Sequence, residues 1–238
     1  DWSSDVCSSD LLNTNSNTYT VLYASGVVIV VAFLLAFVSS ALKEPSEANE
    51  RIDQQKQILA SLNLTPEKSE VESLYKQVVK ADPIVNEKGD EVKPDGGFTV
   101  KRKDISAENL PVFVCEVNGE KKYVLPLVGK GLWGSIWGYL AVNDDCETVY
   151  GAFFSHESET AGLGALIAEK SFQDEFKGQK LQDEKGNYLS VVKFGAKREH
   201  PEVECDGISG ATLTSNGVTN MLREYLAMYK NYLLKLKK

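Results

Sequence analysis

Of the residues that build metal and redox centres, this chain has few. It holds four cysteines and two histidines in 238 residues. The cysteines stand at 7, 115, 146 and 205, far apart, with no Cys-x-x-Cys pair and no histidine at ligand spacing. A zinc or iron–sulfur centre therefore has no support. Cys205 reads as a buried structural thiol, and spacing alone leaves a disulfide open. Basic charge is also short: 26 Lys and Arg stand against 34 Asp and Glu, a formal net charge of −8. That balance excludes nucleic acid as a natural partner. Nor do residues 1–20 contain a single Lys or Arg.

What is present begins with one long stretch that carries no charge. Residues 21–42 are apolar throughout. As a helix they would extend about 33 Å, enough to cross a hydrocarbon core of roughly 30 Å. A signal peptide has a shorter apolar region and a basic start, so the stretch is read as a transmembrane anchor in a lipid bilayer. Without upstream cations the positive-inside rule gives no orientation. Residues 1–11 are similar to translated sequencing-adapter DNA and are set aside as non-native. Dropping Asp1, Asp5 and Asp10 takes the charge from −8 to −5. Residues 12–20 then form an N-terminal tail.

Residues 43–81 are polar and helical in character, with a thin stripe of Ile52, Ile58, Leu59 and Leu62, and read as a juxtamembrane spacer. Thr65-Pro66-Glu67 is a helix start, predicting a helix over 66–80 with Val71, Leu74, Val78 and Val79 on one face. From residue 82 onward strands are expected, with a turn at 87–90. Asn118-Gly119 between two β-rich runs, 112–117 and 121–127, is a hairpin signal because both residues accept positive φ. Further strands are expected at 136–142, 148–155 and 188–194, and a helix over 163–172. A last helix from about Ser215 carries Val218, Met221, Leu222, Tyr225, Leu226, Tyr229, Leu233 and Leu236 at i, i+3, i+4 spacing. The fold class is α+β: one anchor helix, then a mixed helix and strand domain over 82–238.

The chemistry concentrates in Asp206-Gly207-Ile208-Ser209-Gly210-Ala211-Thr212. Small residues let a bulky group approach the backbone, and the following helix would offer free amides and a positive dipole end. Thr214 or Ser215 is the expected N-cap. Such a loop suits a phosphate, though an ordinary turn before a helix has the same letters. Gly129-Lys130-Gly131-Leu132-Trp133-Gly134 matches G-x-G-x-x-G, but the aromatic, β-like residues after it do not make a dinucleotide site. His156-Glu157-Ser158-Glu159-Thr160-Ala161-Gly162-Leu163-Gly164 contains a histidine and two carboxylates, too few ligands for a metal.

Taken together, Asp-Gly-Ile-Ser-Gly-Ala-Thr-Leu-Thr-Ser resembles the flavinylation signature of FMN-binding domains in bacterial respiratory complexes. The nearest likeness is the family of C subunits of the Na⁺-translocating NADH:quinone reductases, with the G subunit of the ferredoxin:NAD oxidoreductase (Rnf) complexes second. The likeness spans most of the chain. It implies covalent FMN in a phosphoester to Thr212, with Ser209, Gly210 and Ala211 around it. The Gly-Lys-Gly-Leu-Trp-Gly segment is similar to one in that family, where Trp133 or Trp137 would stack near the isoalloxazine; a core aromatic is the alternative for each. The 156–164 stretch resembles a flavin-contacting Glu-Thr-Pro-Gly-Leu-Gly loop, with Ala161 in place of the proline. It would turn Glu159, Thr160, Gly162 and Leu163 to the flavin. Lys193 stands where that family has a lysine near the flavin, or is simply an exposed strand lysine. The resemblance further implies a single-pass protein of the bacterial inner membrane with its flavin domain outside. Other membrane subunits and a separate flavin transferase would be its partners, and electrons would pass toward ubiquinone coupled to sodium export. No dehydrogenase activity is expected from the chain alone, since no nucleotide site is visible. A rival of another class is a membrane-anchored binding module with no redox role.

Overall fold

The computed structural model describes residues 16–237. The non-native segment expected at 1–11, and residues 12–15 of the tail expected at 12–20, lie outside the described residues. Two compact parts divide at Arg51 and Ile52.

The first part holds most of helix α1 (Asn17–Ser61). Over 21–42 its apolar side chains are exposed on every side; Phe33 and Ile29 are 72% and 68% exposed. Only lipid or protein would relieve that exposure. α1 is the one helix among the described residues long and apolar enough to cross a membrane. It runs on through Pro45 and the charged residues after it without a break.

The second part starts at Ile52, within the stretch expected to be a spacer. The reason is the apolar stripe: Ile58, Leu59 and Leu62 are fully buried in a cluster with Phe113, Cys115, Val124 and Tyr139. Helix α2 (Val71–Val78) adds Val71 and Val78 to the same cluster, with Leu74 and Val79 packed against it. The face predicted for this helix is right, but the helix begins five residues later than predicted. The Thr65-Pro66 signal is overridden by a turn in which the Glu70 amide donates to the Glu67 carbonyl, and the helix opens after Glu70.

The central sheet is antiparallel, in the order β1 (Val79–Ala81), β5 (Phe113–Val117), β6 (Glu120–Lys130), β7 (Ser135–Asn143), β8 (Val149–His156). Asn118 and Gly119, at φ 53° and 81°, make the β5–β6 turn as expected. Alternation splits the strands cleanly. Tyr139 and Ala141 face the α1–α2 cluster, whereas Ile136, Leu140 and Val142 face the larger cluster on the opposite side. A small sheet of β2 (Ile84–Val85), β3 (Glu91–Lys93) and β4 (Leu110–Pro111) flanks this, with the predicted turn at 87–90 between β2 and β3.

On the larger cluster lies α4 (Thr212–Leu236). Its predicted stripe is buried from Val218 to Leu233, while Leu236 at the end is 37% exposed. The Tyr229 hydroxyl, fully buried, donates to the carbonyls of Pro111 and Pro126 at 2.9 and 3.2 Å. The helix predicted over 163–172 is instead a 3-10 segment (Gly164–Ala168) and a short α3 (Lys170–Asp174). Glu169 between them is extended, at φ −79° and ψ 144°, and breaks the run. The strand expected over 188–194 shortens to β9 (Ser190–Val192), which pairs in parallel with β10 (Glu204–Asp206). The Thr219 hydroxyl on α4 accepts from the Val191 amide and donates to the Val191 carbonyl, fastening this pair to the helix.

Candidate functional site

The Ser-Gly-Ala-Thr stretch ends inside α4, not before it. Ala211 (φ −121°, ψ 40°) precedes the helix with no side-chain cap, and the first helical bond runs from the Ser215 amide to the Ala211 carbonyl. The amides of Thr212, Leu213 and Thr214 therefore have no acceptor along the helix. Thr214 and Ser215, expected as N-caps, sit within the first turn. The Thr214 hydroxyl donates to Glu159 Oε2 at 2.6 Å, and Ser215 Oγ accepts from the Ile208 amide at 3.2 Å. Both hydroxyls are buried and committed. Those of Ser209 and Thr212 are exposed, and Thr212 alone stands on the helix's first residue.

The start of the stretch is pinned from the other side. Arg198 Nε and Nη2 donate to the Asp206 carboxylate at 3.2 and 2.9 Å, and Nη2 also reaches Glu175 at 2.7 Å. The Gly207 amide donates to the Val192 carbonyl at 2.8 Å, which brings β9 alongside. Lys193, the next residue on that strand's exit, is exposed with Phe194. Nothing in the sequence marks Arg198 as the partner of Asp206. The two are joined by the fold.

Glu159 is the junction. Only 7% exposed, its Oε1 accepts from the Trp133 amide at 2.8 Å while Oε2 takes the Thr214 hydroxyl. Its own amide donates to His156 Nδ1 at 3.2 Å, which spends the histidine on the turn. Burial pushes the carboxyl up, but the hydrogen bonds of Thr214 and of the Trp133, Gly134 and Leu132 amides outweigh it and hold it below the ordinary carboxylate range. Both Glu159 oxygens thus have partners within the protein, from the hairpin and from the first turn of α4. Room for them comes from glycine. A Cβ on Gly131 would lie 2.5 Å from Glu159 Oε1, and one on Gly164 would collide with Oε2. In the same G-x-G-x-x-G match, Gly129 makes way for Met221 and Gly134 for Ser158. The motif is the hairpin between β6 and β7, and its glycines pack against the protein's own side chains.

The segments that meet at Glu159 and at Gly210 carry exposed apolar side chains. Trp133, Leu213, Leu132 and Leu163 are 68%, 60%, 47% and 41% exposed. A Cβ on Gly210 would meet Leu163 at 3.0 Å, so the 160–164 loop and the Ser-Gly-Ala-Thr stretch lie in contact. That loop is held by the Thr160 carbonyl, which accepts from the amides of Leu163 and Ala165, both at 3.1 Å; Thr160 and Gly162 are exposed. Trp137 is elsewhere. It lies on the α1–α2 face of the sheet, its Nε1 donates to Gln57 at 3.0 Å, and Arg102 stacks 3.9 Å above the ring.

Cys115, Cys146 and Cys205 are buried and free, and burial pushes Cys205 up to about 12. Among the described residues no three His, Cys, Asp or Glu group as a metal site.

The model of the FMN-binding domain family matches residues 131–227, from the Gly131 hairpin to most of α4. The C subunit of the Na(+)-translocating NADH-quinone reductase of Pseudomonas aeruginosa is 32% identical, over 91% of this chain and 94% of its own. That of Haemophilus ducreyi is 29% identical over 93% and 94%. The crystal structure of the Parabacteroides distasonis C subunit superposes with a TM-score of 0.75 at 41% identity, covering 81% of this chain and 96% of that one. By sequence along nearly its whole length, this chain belongs to the family of C subunits of the Na(+)-translocating NADH-quinone reductases.

Proposed function

We propose that this chain is the flavin-bearing electron-transfer subunit of a Na⁺-translocating NADH:quinone reductase, with FMN held in a phosphoester to Thr212. The observation that carries this reading is Thr212 itself: an exposed hydroxyl on the first residue of α4, beside three amides without a helical acceptor. A phosphate esterified there would lie at the positive end of a 25-residue helix. The residues present fit the rest of FMN as well. Trp133, Leu132, Leu163 and Leu213 offer exposed apolar side chains, and Lys193 is an exposed cation next to Val192, whose carbonyl meets Gly207 at the start of the stretch. Ser209, Gly210 and Ala211 supply a backbone with almost no side chain to obstruct a ligand.

FMN supplies reversible uptake and release of electrons; the chain supplies position, electrostatics and water exclusion. This reading assigns the dehydrogenase step to another subunit; it is supported by the G-x-G-x-x-G match being a hairpin loop whose glycines pack internally. Electrons would come from and pass to other membrane subunits, toward ubiquinone and coupled to sodium export. A separate flavin transferase would load Thr212. The apolar span of α1 would anchor the chain in the bacterial inner membrane, with the flavin domain on the outer side, as family likeness implies. Family membership favours this assembly over a ferredoxin:NAD oxidoreductase complex.

Thr212→Val tests the assignment. Valine matches threonine in shape and lacks the hydroxyl. With a flavin transferase co-expressed, the wild-type band on a denaturing gel should fluoresce under ultraviolet light, and the variant band should be dark with an unchanged melting temperature. Equal fluorescence in both would sink the attachment site. A dark band in both would favour the non-redox binding module.

A further inference from the structure

We propose that Glu159 is a positioning residue for the flavin, acting as a latch that fixes the apolar hairpin tip relative to the attachment point without touching the ring system. The inference deepens the reading above and rests on it. Three separate segments meet at this one side chain. Through the Trp133 amide, Glu159 fixes the tip of the β6–β7 hairpin, whose Leu132 and Trp133 side chains stand exposed. Through the Thr214 hydroxyl it fixes the first turn of α4, two residues from Thr212. Through its own backbone it carries the loop on which Thr160 and Leu163 lie. A hairpin tip is ordinarily the loosest part of a sheet. Here its backbone is tied to a carboxylate that is itself 7% exposed.

The geometry separates this role from ligand contact. Both carboxylate oxygens are engaged inside the protein, and Gly131 and Gly164 close over them so tightly that no Cβ fits. At 7% exposure the side chain leaves a flavin little surface to meet. Covering a charge costs stability unless it is matched by hydrogen bonds, and the matching donors come from the two elements whose separation matters. Trp133 is the side chain with most to lose. At 68% exposure it has little packing of its own, so its place is set by its backbone.

Two substitutions test the latch in the full-length chain. Glu159→Gln keeps the shape and removes the charge; Thr214→Val keeps Glu159 and removes the helix-side donor. Without flavin, hydrogen exchange at the Trp133 amide should quicken about tenfold in Glu159→Gln, as the loss of a charge-assisted bond implies. With flavin loaded by a transferase, both variants should still show a fluorescent band on a denaturing gel. In the native state, however, the fluorescence anisotropy of the attached flavin should fall and its visible absorption band should shift. Combining the two substitutions should add little, because they cut the same connection. Wild-type anisotropy and spectrum in both loaded variants, or unchanged exchange at Trp133, would overturn the latch. A wild-type chain that takes up no flavin would overturn the function instead, and the exchange measurement would still decide whether the hairpin is tied by Glu159.

Discussion

At the scale of single residues, the sequence shows which groups are present but not which are spent. Ser209, Thr212, Thr214 and Ser215 read alike as hydroxyls in a small-residue stretch. Two are consumed by Glu159 and the Ile208 amide, partners 55 and 7 residues away. Glu159 is legible as a residue of the site; that it faces inward is not, because its donors come from a hairpin and a helix distant in sequence. Its inward role has a pH signature. The folded carboxyl titrates below its ordinary value, so its stabilisation is complete above about pH 4.3. It is lost as pH falls through the lower, folded value. Glu159→Gln should therefore cost about 1–3 kcal/mol at neutral pH. Denaturant titrations of the two proteins should converge as the buffer is made more acidic than that, the wild type losing its advantage. A constant gap down to acid unfolding would show that the charge contributes nothing.

At the scale of elements, periodic signals are reliable here and boundaries are not. The i, i+3, i+4 stripe of α4 is buried as read, and Asn118-Gly119 turns as read. Sequence puts the start of α4 three residues late because a good N-cap residue is used for something else in space. β10 escapes notice altogether: Glu204-Cys205-Asp206 has no alternation of its own and is a strand only because β9 lies beside it. One hydroxyl hydrogen-bonds that pair to α4. Thr219→Val would remove both its bonds to Val191 and leave a backbone amide and carbonyl without partners. A loss of about 1–3 kcal/mol is expected by chemical denaturation. Hydrogen exchange at the Val191 amide should rise more than at the Leu125 or Leu140 amides of the central sheet. Uniform acceleration across all three would mean that β9 and the core open together.

At the scale of the molecule, the α+β class and the apolar span are readable, whereas the limit of the folded part is not. Residues 52–62 look polar because Gln54, Gln55 and Gln57 interrupt a sparse stripe, and the sheet face that covers the stripe belongs to strands some sixty residues on. The difference is testable by truncation. A fragment of residues 52–238 should melt cooperatively as a monomer. One of residues 82–238 would lose Ile58, Leu59, Leu62, Val71 and Val78, each worth about 1.5–3 kcal/mol when buried. That total rivals the whole stability of an ordinary domain, so the shorter fragment should aggregate or remain unfolded by circular dichroism. A monomeric, cooperatively melting 82–238 fragment would show that the α1–α2 side is an ornament.

The glycines that crowd Glu159 and Ser158 have a consequence for how such a chain changes over generations. A space closed that tightly is shared property: what one position can become depends on what its neighbour has already given up. Alanine at 134 would meet the Ser158 hydroxyl and not the backbone, so the serine must turn aside to admit it; Gly134 is absent from the residues with positive φ. The order of events therefore matters. Shrink Ser158 first and position 134 opens; reverse the steps and the intermediate is penalised. Gly131 and Gly164 have no such route while the latch is needed, because their common neighbour is Glu159 itself. Drift at this site is a walk along permitted pairs, with two glycines anchored by one carboxylate.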